Sequence, residues 1–255
     1  LAGEFVDSGW DLKAIHRLIV TSETYRQSSV ATQKQRAEDP FNKRLARAAR
    51  SRLPAEQIRD LSLAAAGLLD HRIGGPSVFP VQPGDYWGEK GQEKDSGKWL
   101  TSRGRDLYRR GLYTYWKRMA LYPSFWILDA PTRQVCTMTR TITNTPIQAL
   151  VTLNDPVFFE AARGFATRVL RDTPPRMKER LERAFLIALS RTPLAEEEAA
   201  CASLIRDLSK SYEADLPAAA RVHPGTAGLP AGAELAAWTV LSSTLLNLDE
   251  AITGE

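Results

Sequence analysis

A chain of 255 residues that is 43% hydrophobic can bury a substantial core, as one large domain or two small ones. Its 34 basic residues are interleaved with 30 acidic ones, so the net charge of +4 describes a mixed, solvated surface and argues against a dedicated nucleic-acid binder. No apolar run reaches the roughly 18 to 20 uncharged residues of a membrane span, and LAGEFVDSGWDLK lacks the basic start and apolar stretch of a signal peptide.

With Leu1 in place of Met and a helical pattern starting almost at once, the chain is expected to be a piece of a longer protein. Cys136 and Cys201 belong to no CxxC, CxxCH or Cys/His cluster, and His16, His71 and His223 have no ligand spacing. No metal, haem or other cofactor is therefore expected, and two buried free thiols are preferred over one disulfide.

Along the chain, Leu12, Ile15, Leu18 and Ile19 recur at helical steps and predict an amphipathic helix from Trp10 to Tyr25. Asp39-Pro40 predicts a short helix through Arg50, and Pro54-Ala55-Glu56 opens a third with the stripe Ile58, Leu61, Ala65, Leu68 and Leu69. Ile73-Gly74-Gly75-Pro76 reads as a turn, and residues 79–104 as a long polar loop. Residues 107–119 fit a strand by their Tyr and Trp content and also a helical step from Leu112 to Trp116; extended structure or a short strand is preferred, and strand is expected only within about 75–140.

In the second half, Thr145-Pro146-Ile147-Gln148 has the form of a capping box with proline at the first helical position, and Asp155-Pro156 starts another helix. The stripe Phe158, Ala161, Ala162, Phe165 and Val169 runs to Thr173-Pro174-Pro175; Leu181, Ala184, Phe185, Ala188 and Leu189 make the next. Thr192-Pro193 caps a helix with Glu196, Glu197 and Glu198 in its first turn. Residues 217–232 read as a Pro/Gly/Ala loop, and Ala233 to Ile252 as one apolar helix. The fold class is mainly α: an irregular multi-helix domain over 1–255, with a loop-rich middle and room for one short β-hairpin.

Two constellations stand out. Trp87, Trp99, Arg109, Arg110, Tyr113, Tyr115 and Lys117, with Arg103, Arg105, Trp116 and Arg118, mix guanidinium forks with aromatic faces, a combination suited to an anionic polymer. The plainer account is buried aromatics alternating with outward cations. Asp129, Arg140, Asn144 and Thr145 are expected to form a structural polar junction tying the middle segment to the helix at Thr145. Glu56, Arg59 and Asp60 share one side of a helix, where ion pairs are the expected role and a catalytic carboxylate pair the alternative. Ser22, Ser28 and Ser29 have neither a GxSxG elbow nor an SxxK beside them.

Several segments, in order, carry a family resemblance: WDLKAIHRLIVTSETYRQSS (10–29), DPFNKRLAR (39–47), RLPAEQIRDLSLAAAGLLD (52–70), GGPSVFP (74–80), YRRGLYTYWKRM (108–119), PSFWILDAPTRQVC (123–136), TNTPIQALVTLNDPVFFEAA (143–162) and LLNLDEAI (245–252). With these the chain resembles the planctomycete-type domain of unknown function 1553. The resemblance implies the C-terminal module of a large exported, periplasmic or cell-surface bacterial protein, in company with upstream domains that sometimes include a c-type cytochrome. It implies no reaction. The chain departs from the family's usual pattern at Gly111, where serine is common, at Leu121-Tyr122, and in the loop around 217–232.

The function expected from these readings is non-catalytic binding or scaffolding beside upstream domains of the same polypeptide. A hydrolase acting on anionic polysaccharide is the alternative, and nucleic-acid binding the third reading. Two carboxylates converging in a pocket would favour the enzyme; an exposed apolar flank would favour the module.

Overall fold

The computed structural model describes residues 1–84, 99–117, 120–226, 228–230 and 232–254, and helix dominates throughout them. Contacts group the chain into two compact units, Leu1–Ser51 with the residues from Thr253 on, and Arg52–Ile252.

The smaller unit holds α1 (Ala2–Asp7), α2 (Leu12–Thr21) and α3 (Gln33–Glu38), none of which buries a residue. Asp11 caps α2 by accepting from the N–H groups of Lys13 (2.8 Å) and Ala14 (3.1 Å). The helix is shorter than the predicted 10–25, because Trp10 has φ 66° and Ser22 turns extended. The helix predicted from Asp39 does not form. Asp39 instead follows α3, its carboxylate accepts from Lys43 and Arg44 N–H, and Asn42 and Leu45 take positive φ. The carboxylate thus supplies the local bonds that a helix would have made.

The larger unit begins with α4 (Ala55–Ala65), which buries Ile58 and Leu63 and stops before Gly67 at φ 72°. After the turn at Gly74 (φ 82°) and Gly75 (φ 89°), residues 104–113 form two 3-10 turns with isolated bridges Asp70↔Arg109 and Val78↔Thr114. Then come α5 (Pro123–Ile127), α6 (Pro146–Asn154), α7 (Pro156–Asp172), α8 (Met177–Leu189) and α9 (Ala195–Ala214). Asp155 caps α7 as predicted, accepting from Val157 N–H at 2.9 Å. At α6 the predicted capping box is present, with Pro146 at the helix start. Gln148 Oε1 accepts from Thr145 N–H (3.2 Å), and Gln148 N–H also donates to the Thr145 carbonyl (3.0 Å).

The stretch 217–232, expected to be loop throughout, contains α10 (Leu216–Val222) and a small hairpin pairing Gly225–Thr226 with Leu229–Pro230. Asp215 nucleates α10 by accepting from Ala218 N–H, with Pro217 in its first turn. Among the described residues the hairpin therefore lies here and not within 75–140, and the other strand residues are Ser51–Arg52 and Thr253–Gly254. The predicted last helix is two, α11 (Ala233–Leu246) and α12 (Asp249–Ile252). The helix expected from Thr192-Pro193 starts at Ala195, with Leu194 N–H donating to Glu197.

At the centre of this unit lies α11, packed against α7, α8, α9 and α10. It is apolar or small on every side, with Leu235, Ala236, Ala237, Trp238, Leu241, Ser242, Ser243 and Leu245 buried, as an internal helix requires. Around it Phe165, Val169, Leu181 and Phe185 complete the main core, each contributing about 1.5–3 kcal/mol on burial. A second cluster joins Ala55, Ile58, Tyr122, Phe125, Leu128 and Phe158. Arg191 locks the α8–α9 turn to α12, its guanidinium bonded to both Glu197 and Glu250 at 2.7–2.8 Å. That contact holds the Glu197 carboxyl down at about 2. The two ends of the unit also meet, Leu53 N–H donating to Ile252 O at 2.7 Å.

Candidate interaction surface

The Arg/aromatic run folds inward more than outward. Trp99 donates its indole N–H to Pro80 O (2.8 Å), stacks on Tyr122 (5.7 Å) and meets Phe79 edge-on (5.1 Å). Phe79 stacks on Tyr115 (4.8 Å), and Tyr122 continues the series to Phe125 and Trp116. Tyr122 OH donates to Val81 O, and burial pushes its phenol above the usual range. Arg109 is buried; its guanidinium donates to the carbonyls of Pro76 (3.1 Å), Arg72 (3.3 Å) and Gly74 and lies 3.8 Å over the Tyr113 ring. Tyr113 OH accepts from Gly74 N–H, so Arg109 and Tyr113 together clamp the glycine turn. Arg110 and Lys117 are half-buried, and Tyr115 is partly exposed. Trp87, Tyr86 and Arg118 lie outside the described residues.

The polar junction exists with a changed membership. Asp129 Oδ2 accepts from Arg52 (2.6 Å), from Thr143 N–H and Oγ1 (2.7 Å each) and from Gln148 Nε2 (3.1 Å). Burial opposes the carboxylate's charge, but the Thr143, Gln148 and Arg52 contacts outweigh it and hold the group below its usual range. Arg140 is not a member: it forks onto Glu56 at 2.8 and 3.2 Å, the arginine partner expected for that carboxylate. Asn144 is exposed, and Thr145 reaches the junction only through Gln148. Arg52 and Gln148 were missed. The signal for Gln148 was the capping box itself, since the amide that caps with its oxygen must place its nitrogen somewhere.

Among the described residues the acidic side chains around this region have internal donors. Asp60 accepts from Gly111 N–H (2.6 Å), with burial pushing its carboxyl up. Asp70 pairs with Arg72 (2.8 Å), and Asp155 accepts from Ser124 Oγ and is pushed up by burial. Glu160 accepts from Tyr108 OH (2.6 Å), whose phenol burial and that bond push up to about 12. Arg59, buried inside α4, donates to the carbonyls of Arg109 (2.6 Å) and Leu107 (2.7 Å). The set Glu56, Arg59 and Asp60 anchors the 104–111 segment and Arg140 to α4.

The unusual surface is α6. Its two fully buried residues are polar, Gln148 and Thr152, beside the half-buried Val151, whereas Ile147 and Leu150 are about 60% exposed. Inside, Gln148 Nε2 donates to Ile127 O (3.0 Å) and Thr143 Oγ1 (2.9 Å), and Thr152 Oγ1 bonds Asn247. Outside, the apolar row continues with Leu153, and the neighbouring elements expose Trp126, Val135, Met138 and Ile142. Exposed apolar groups on a protein surface normally scatter singly, so a row of them along one helix face is unusual. Both cysteines are free, but Cys136 sits exposed in this stretch and is not the buried thiol expected.

Among the described residues no helix is long and apolar enough to cross a membrane. A family model described as PSD1, protein of unknown function (DUF1553), matches residues 1–205. No curated protein and no solved structure matches the chain significantly.

Proposed function

The chain belongs to the PSD1 (DUF1553) family, and on that footing we propose that it is a non-catalytic binding or scaffolding module that docks another part of its own exported polypeptide through the outer face of α6. The observation that carries this is the reversed polarity of α6, with Gln148 and Thr152 inside and Ile147 and Leu150 outside. The carboxylates that an enzyme reading needs are each bonded to a donor of the same chain, which supports the module over the hydrolase. The exported setting rests on the family resemblance alone.

The test is photo-crosslinking of the full-length polypeptide with a probe amino acid at Leu150, beside a control probe at exposed Lys178 on α8. Cross-links from position 150 to a separate domain, absent from position 178, are expected. A probe at 150 that reacts with no other domain, or no more than the control, overturns the proposal.

A further inference from the structure

A cavity of about 420 Å³ opens where the end of α4, the outer side of α7 and the residues after α10 come together. Arg163, Thr167, Arg168 and Arg171 line it from α7, with His223 and Gly225 opposite. Two helices end there. Arg168 Nη1 donates to the α4 carbonyls of Ala64 (3.1 Å) and Ala65 (2.9 Å). Arg163 donates through Nε and Nη2 to the α10 carbonyls of Val222 (2.6 Å) and Arg221 (2.9 Å). These bonds cap both C-termini and fix the two planar groups in place. They also leave Nε and Nη2 of Arg168 and Nη1 of Arg163 without an acceptor among the described residues.

His223 decides what else the wall offers. Its Nδ1 accepts from Gly225 N–H (3.0 Å), so the ring proton sits on Nε2, between Thr167 Oγ1 (3.1 Å) and the Arg163 carbonyl (3.3 Å). Thr167 oxygen is then an acceptor toward the ring and keeps its own proton to donate. The ring itself is buried, and burial lowers its pKa from the ordinary value. Among the described residues Glu160 is the one carboxylate on the wall and accepts from Tyr108 OH through Oε1, and Arg171 meets Asp172 at 3.0 Å. The wall is therefore rich in fixed donors and poor in available acceptors.

We propose that this cavity binds the oxoanion group of a small ligand, a sulfate, phosphate or carboxylate, through the remaining N–H groups of Arg163 and Arg168 and the Thr167 hydroxyl. The inference is independent of the α6 face. A bland role for the same arginines, capping helix ends only, predicts no saturable binding.

Calorimetric titration of the chain with inorganic sulfate, inorganic phosphate and acetate at constant ionic strength, with chloride as control, separates these cases. Saturable binding of at least one oxoanion, with a higher Tm than in chloride, is expected. Sulfate or phosphate binding alone assigns a tetrahedral group, and acetate binding alone a carboxylate. Thr167→Val and Arg168→Lys should each weaken binding about tenfold or more while the proteins stay folded. Arg168→Lys keeps a donor for the α4 carbonyls, and Thr167→Val touches no cap, so loss of binding in both is not loss of fold. Binding no different from chloride for all three anions, or equal affinity in both folded variants, overturns the proposal.

Discussion

Arg52 and Asp129, 77 residues apart in the chain, meet with Nη2 2.6 Å from Oδ2, and the arginine side chain is 4% exposed. Besides Asp129, Arg52 bonds the carbonyls of Thr143 (2.7 Å), Leu128 (3.2 Å) and Leu53 (3.3 Å). The junction thus gathers the start of the larger unit, the end of α5 and the approach to α6 around one carboxylate.

Removing that carboxylate leaves a buried guanidinium facing carbonyls only. Asp129→Ala should destabilise by about 3 kcal/mol or more, because an unpaired buried charge is costly and alanine is strained at φ 62°. Asp129→Asn tolerates the backbone and should lose less. Asn144→Ala, on the exposed side, should stay within about 0.5 kcal/mol. Urea midpoints measure all three; an unchanged midpoint in Asp129→Ala would remove the junction from the account.

α6 predicts an inversion of the usual rule for helices. Gln148→Ala, which breaks bonds to Ile127, Asp129 and Thr143, should cost about 1–3 kcal/mol, whereas Leu150→Ala should cost less than about 0.5. Thermal melts of the two variants give the comparison, and a larger loss for Leu150→Ala contradicts the assignment of inner and outer faces.

Gly111 passes so close to α4 that a Cβ there would lie 2.9 Å from both Glu56 Cα and Glu56 O. Backbone cannot yield as a side-chain tip does. Gly111→Ala and Gly111→Ser should each lower stability by about 1–3 kcal/mol and disturb the Gly111 N–H bond to Asp60. A Gly111→Ser protein with wild-type Tm would show that the approach is looser than described.

Burial lowers the His223 pKa below its ordinary 6.5, while the Arg163 carbonyl pulls the other way. The unfolded chain therefore binds a proton more readily than the folded one between the folded value and 6.5. The contribution of His223 is complete above about 6.5, declines as the pH falls below it, and levels off past the folded value. Asp60 and Asp155, raised by burial, act in the opposite sense at lower pH, so the difference between wild type and His223→Gln isolates the histidine. That difference should narrow between pH 7.5 and 5.5. A gap that does not change with pH means the imidazole is not held neutral.

Helices with a stripe and a proline start could be read directly: α7 and α8 carry their core residues at helical spacing, and Asp155 caps where its neighbour Pro156 says it should. What could not be read depends on partners distant in sequence. Nothing around Asp39 distinguishes a carboxylate that starts a helix from one that closes the turn after it; the positive φ of Asn42 and Leu45 decides. The aromatic and arginine composition of 99–117 is the same for an exposed binding strip and for an internal ladder, and only the carbonyls of Arg72, Gly74 and Pro76 show that Arg109 belongs inside. The cavity beside Thr167 was invisible for a similar reason, since its arginines sit on a helix read for its apolar stripe.

The bond between Leu53 N–H and Ile252 O makes the order of helices in the larger unit a matter of connectivity and not of geometry. Its two ends are neighbours, and residues 132–142 are exposed along their whole length. A circular permutant of this unit, joined by a few residues across 252 and 52 and opened within 132–142, would keep every packed helix and the Asp129 junction with Arg52 in it, while moving its termini to that exposed stretch.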